Sequence, residues 1–88
     1  MSDEPMEPAK LLLGRGTAEL AALARAAIDQ LAHSADPAAF SELLALSQVT
    51  GESLGVSART LAEHSSWAGV ADIAGISRQG AWSRWAEP

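Results

Sequence analysis

Arg78, Gln79, Ser83 and Arg84 lie close together near the end of the chain, with Trp82 among them. A guanidinium presents two parallel donors that match the acceptor edge of guanine, and a carboxamide can pair donor and acceptor with adenine. A serine hydroxyl bonds either a base edge or a phosphate oxygen. Arg84 suits a phosphate contact or a surface ion pair. Trp82 can lie on a sugar or a thymine methyl, or it can cover the groove between two helices. Without a supporting element, these side chains amount to an ordinary solvated helix face.

The element that would hold them is the stretch from Trp67 to Trp85, WAGVADIAGISRQGAWSRW. Val70, Ala71 and Ala74 fall on one helical face. Gly75 stands where a helix can stop in the left-handed conformation that glycine adopts without steric cost. Ile76 can plug the corner, and Ser77 is a good N-cap for a second helix. Ala81 and Trp85, at i and i+4, would face back inward. The pattern predicts a helix, a tight glycine turn and a second helix from Arg78 to about Ala86. Trp67 and Trp85 are expected to anchor the core. Gly80, in the first turn of the second helix, would let backbone approach a phosphate closely.

Val70-Ala71, Ala74-Gly75-Ile76-Ser77 and Ala81 resemble the helix-turn-helix of bacterial repressors and of the promoter-reading region of sigma factors. The resemblance covers roughly the last quarter of the chain. It implies that the Arg78–Ala86 helix enters the major groove of double-stranded DNA, with Ser77, Arg78, Gln79, Trp82, Ser83 and Arg84 as contacts. The implied function is sequence-specific DNA binding by a nucleoid-associated transcription regulator acting as a homodimer; the acidic start MSDEPMEP lacks the order of a signal peptide, so a cytoplasmic location is expected. A second string, Leu54-Gly55-Val56-Ser57 followed by Leu61, has a similar look but a poorer first helix, and ranks below the later one. Nothing resembling a β-hairpin follows the motif, so a winged variant is not expected.

The charge balance opposes this reading. The chain has a net charge of −5, whereas DNA binders are usually basic. The surplus acid is upstream, however. Beyond residue 56, Arg59, Arg78 and Arg84 balance Glu63, Asp72 and Glu87. Non-specific attraction to DNA should therefore be weak. The competing reading is a helical interaction module that grips another protein, such as a transcription or phage component.

The 88 residues make one domain at most. Alanine is abundant, Tyr is absent and Phe occurs once, which favours an all-α fold. Residues 1–16 are expected to be a mobile acidic segment with a short apolar patch at Lys10–Leu13, either a helical turn or an extended arm. Residues 17–64 are expected to be helical and to carry the dimer surface, and residues 65–88 the helix-turn-helix. Leu20, Leu23, Ala24, Ala27, Ile28 and Leu31 form one stripe on a helix from Thr17 to about His33. Asp36-Pro37 starts the next helix, in which Phe40, Leu43, Leu44 and Leu46 make a strong apolar start. Gly51 and Gly55 interrupt it, yet Leu54, Ala58, Leu61 and Ala62 continue the stripe, so one long helix to about Glu63 is preferred over a break near Gly51. Ser47, Gly51 and Gly55 would then form a smooth line for close helix contact. The expected dimer surface is Leu20, Leu23, Ala27, Leu31, Phe40 and Leu44.

Catalytic and metal chemistry find no footing. The chain has no cysteine, which excludes disulfides and thiol catalysis. His33 and His64 are solitary and are expected at the surface. No Ser/His/Asp arrangement stands out, and Gly14-Arg15-Gly16 lacks the length and lysine of a phosphate loop. Neither enzyme activity nor a cofactor is expected. No apolar run approaches the ~20 residues that span a bilayer.

Overall fold

A computed structural model describes residues 8–88. The expectation of a mobile acidic start falls largely on residues 1–7, outside the described residues. The elements in order are α1 (Pro8–Leu11), α2 (Thr17–Ala32), α3 (Pro37–His64), α4 (Trp67–Ala74) and α5 (Arg78–Trp85). No strand occurs among the described residues, so the fold is all-α. The chain divides into two compact units, one ending at Leu43 and the other spanning Leu44–Pro88.

In the first unit, the Lys10–Leu13 patch takes the helical option. The Leu12 amide donates to the Ala9 carbonyl at 3.3 Å, and Leu13 to Lys10 at 3.4 Å. Gly14 then turns the chain at φ 79°, a conformation open to glycine at little cost. Arg15 ties the turn to both neighbouring helices. Its Nε donates to the Leu11 carbonyl at 2.9 Å, and its guanidinium pairs with Glu19 in the first turn of α2. At the other end of α2, His33 Nδ1 donates to the Asp29 carbonyl at 2.8 Å. Asp36 caps α3, its carboxylate accepting from the Ala38 amide at 3.0 Å. Pro37 occupies the first helical position, where no amide hydrogen is needed. None of the sixteen residues of α2 is buried.

Helix α3 is unbroken through Gly51 and Gly55. The LGVSARTL string therefore lies inside a helix and forms no corner. Each glycine costs about 1 kcal/mol relative to alanine in a helix interior. At Gly55 the missing side chain has a use. A Cβ there would stand 3.0 Å from the Arg59 guanidinium, so the space expected to receive a partner helix is filled by the chain's own arginine. Gly51 has no such neighbour. Thr50 and Thr60 fit the helix by donating their hydroxyls to the carbonyls of Leu46 and Val56, each at 2.8 Å.

The second unit has a small core. Ala58 of α3, Val70 and Ala71 of α4 and Ala81 of α5 are buried together. Ala62, Trp67, Ile76 and Trp85 pack against them and are partly buried. Both tryptophans thus serve as anchors, as their size suggested. The small residues at the centre let α4 and α5 lie close, with bulk at the margin.

Candidate nucleic-acid interface

The α4–α5 corner is assembled by local hydrogen bonds. Ser66 is the N-cap of α4, its Oγ accepting from the Gly69 amide at 3.0 Å. Ser77 repeats this on α5, its Oγ accepting from the Gly80 amide at 3.0 Å. Such a cap satisfies one of the donors left free at a helix start, and its loss costs about 1 kcal/mol. Both helices have glycine three residues after the cap. A Cβ at Gly69 would lie 2.8 Å from Ser65 Oγ, and one at Gly80 would lie 3.0 Å from Ser77 Oγ. Gly80 was expected to let backbone reach a phosphate; its amide is instead engaged by the serine.

Between the helices, Gly75 has φ 71° and ψ 31°. Its amide and that of Ile76 both donate to the Ala71 carbonyl, the latter at 3.1 Å. The six-to-one bond from Ile76 closes a left-handed helix end, and the hydrophobic contact that usually accompanies it falls between Ile76 and the Ala71 core. The turn is thus fixed by one glycine and plugged by one isoleucine.

This geometry sorts the candidate side chains into two groups. Trp67 from the start of α4 joins Arg78, Gln79 and Trp82 of α5 around one open cleft of about 430 Å³. Arg78, Gln79 and Ser83 are exposed, and Trp82 is 54% exposed. Trp82 is therefore neither a core residue nor a sealed cover of the helix groove. Ser77, at the mouth of the turn, has its hydroxyl committed to the cap. Arg84 belongs elsewhere. It lies on the other flank of α5 with its guanidinium carbon 5.8 Å from the centroid of the Trp85 ring, close enough for cation–π attraction. It lines a second cleft of about 510 Å³ with Gly51, Gly55, Arg59, Trp85 and Glu87.

Arg59 is the residue that sequence reasoning missed. Its Nη1 donates to the Trp85 carbonyl at 3.0 Å, across the gap from α3 to the last residue of α5. The cation satisfies a carbonyl that the helix leaves free and sits where the helix dipole is negative. Its only sequence signal is Gly55 one turn earlier. Replacing Arg59 with Met keeps the aliphatic stem and removes this bond. We expect a loss of about 1 kcal/mol in stability, read from chemical denaturation. A variant as stable as the parent means that the bond contributes nothing.

Both histidines end helices at the surface. His64 Nδ1 donates to the Thr60 carbonyl at 2.9 Å, as His33 does at the end of α2. No group of His, Asp and Glu among the described residues is arranged to hold a metal ion. No helix among them is long and apolar enough to cross a membrane. Comparisons with protein-family models, curated proteins and solved structures find no match to this chain.

Proposed function

We propose that the chain binds double-stranded DNA through the α4–α5 corner and acts as a homodimeric transcription regulator. One observation carries this reading. A short corner fixed by left-handed Gly75 and capped by Ser77 presents Arg78, Gln79 and Trp82 around one open cleft. Arg78 and Gln79 supply base-edge chemistry, Ser83 a base or phosphate contact, and Trp82 an apolar surface for a sugar or thymine methyl. Arg84, on the other flank, reaches phosphate only if the backbone runs past both sides of α5. One such helix reads few base pairs, so a homodimer would place two of them about 34–36 Å apart on the duplex. Leu20, Leu23, Ala27, Phe40 and Leu44 keep apolar surface exposed, and Leu31 is half-buried.

The acidic balance sets a quantitative expectation. Arg59 is engaged with the Trp85 carbonyl, which leaves Arg78 and Arg84 as the free cations of the corner. A homodimer then neutralises few phosphates, and log K against log salt should have a slope of about −4. Selection from random duplexes, followed by titration of the selected site at several salt concentrations, tests this. The expected result is an enriched, two-fold symmetric site with a shallow slope. No enrichment, and no retention on heparin or random DNA at low salt, rejects DNA binding.

A specific observation also favours the competing protein-binding reading. Leu54, Leu61 and Ile73 border an apolar groove of about 140 Å³ floored by Ala58 and Val70, and Ile73 is 79% exposed. In that case the DNA selection fails while Ile73→Asp abolishes binding to the protein partner.

A further inference from the structure

We infer that α2 pairs with α2 of a second copy in antiparallel fashion, about a two-fold axis between residues 25 and 26. This deepens the homodimer part of the reading above and does not depend on DNA binding.

The apolar stripe of α2 is incompletely covered. Helix α2 buries none of its sixteen residues, and Leu20, Leu23 and Ile28 are 36%, 41% and 41% exposed. A helix of this length is marginal in water without a partner for its apolar face. The face itself identifies that partner. At 3.6 residues per turn, Leu20, Leu23, Ala24, Ala27, Ile28 and Leu31 fall within an arc of about 140°. Read in either direction, the stripe has the same order of sizes: large, large, small, small, large, large. Turning the helix end for end about the point between residues 25 and 26 sets Leu20 against the partner's Leu31. It also brings Leu23 level with the partner's Ile28, on opposite flanks of the seam, and Ala24 beside the partner's Ala27.

In an antiparallel isologous interface residue i meets the partner's residue j and j meets i, so a stripe mirrored about its centre puts large residues level with large and small with small. A foreign partner imposes no such symmetry on the stripe. The two alanines at the centre let the backbones approach, and the branched residues close the ends. The charges agree. Glu19, Arg25 and Asp29 all lie outside the apolar arc, so the pairing buries no charge. A parallel pairing would instead bring each residue against its own copy. Both large ends would then meet only themselves, and the sequence would have no reason to mirror.

The absence of cysteine allows a direct test. Leu20→Cys and Leu31→Cys are made separately, mixed without DNA and oxidised mildly, and disulfides are identified by mass spectrometry. In the antiparallel pair, residue 20 meets the partner's residue 31, while the two copies of residue 20 are eleven residues apart. That is about 16 Å along the axis, beyond the ~7 Å Cα separation a disulfide can bridge. The mixed disulfide should therefore exceed either self-disulfide by about tenfold. Should either variant lose helicity by circular dichroism, nitroxide labels on Ala18→Cys, an exposed position off the stripe, repeat the test: the two copies of residue 18 are about 22 Å apart along the axis in the antiparallel pair and level in a parallel one. Light scattering on the parent protein separates the two levels. A mass near the 9.1 kDa of one chain at tens of micromolar overturns both this inference and the homodimer. A dimer in which the self-disulfides form as readily as the mixed one overturns only the antiparallel pairing.

Discussion

Gly75→Val should destabilise the α4–α5 corner by about 2 kcal/mol. The cause is isolated unusually well at this position. Gly75 has φ 71°, and nothing lies within 4 Å of where its Cβ would be. The Cβ common to every side chain therefore meets no neighbour, and the penalty it brings is one of backbone conformation. A β-branched residue tolerates that conformation worst, whereas asparagine enters it with little difficulty. Gly75→Asn should thus cost well under half as much as Gly75→Val. Small domains have only about 5–15 kcal/mol in total, so the valine variant should lose a readable share of its stability in denaturant. Equal effects from valine and asparagine would show that the left-handed turn is not what holds the corner.

Arg78→Ala should weaken binding to a selected DNA site by about 1–3 kcal/mol, roughly 5- to 150-fold, with helix content unchanged. Arg78 is exposed at the start of α5, so its removal opens no cavity. The salt dependence separates two roles. Loss of a guanine contact lowers affinity for the selected site but leaves random DNA little affected. Loss of a phosphate contact lowers both alike and reduces the salt slope by about one per chain. Binding as tight as the parent's at matched salt would remove Arg78 from the interface.

The parts of the fold that were legible in the sequence are those set by near neighbours. Asp36, Ser66 and Ser77 cap helices through amides two or three residues away. Gly75 ends α4 within its own turn. The continuity of α3 could be inferred because Leu54, Ala58, Leu61 and Ala62 keep the helical period past both glycines. What eluded the sequence depends on distant partners. The bond from Arg59 to the Trp85 carbonyl joins residues far apart in the chain, and an arginine side chain is long enough to have many possible acceptors. The same holds for the candidate site. Arg78, Gln79 and Trp82 share a flank by helical spacing alone, but the approach of Trp67 requires the crossing of α4 and α5. Helical spacing likewise puts Arg84 on the opposite flank, but its place over the Trp85 ring depends on the rotamers both adopt.

The core of the corner has one consequence for how its sequence can drift. Its buried residues are Ala58, Val70, Ala71 and Ala81, with Ala71 2% and Ala81 0% exposed. At the alanines only a methyl remains to be lost, so truncation can open almost no void. Every replacement but glycine adds atoms, and more than one or two added atoms between closely packed helices force them apart. Tolerance at these three alanines is therefore one-sided: serine or glycine can enter, while leucine or phenylalanine is expelled. Substitutions at the larger residues of the rim, Ile76, Trp67 and Trp85, fail in the opposite direction, by leaving space unfilled. The exposed side chains of α5 can thus change what the corner binds without disturbing its core, while the alanines beneath them cannot grow.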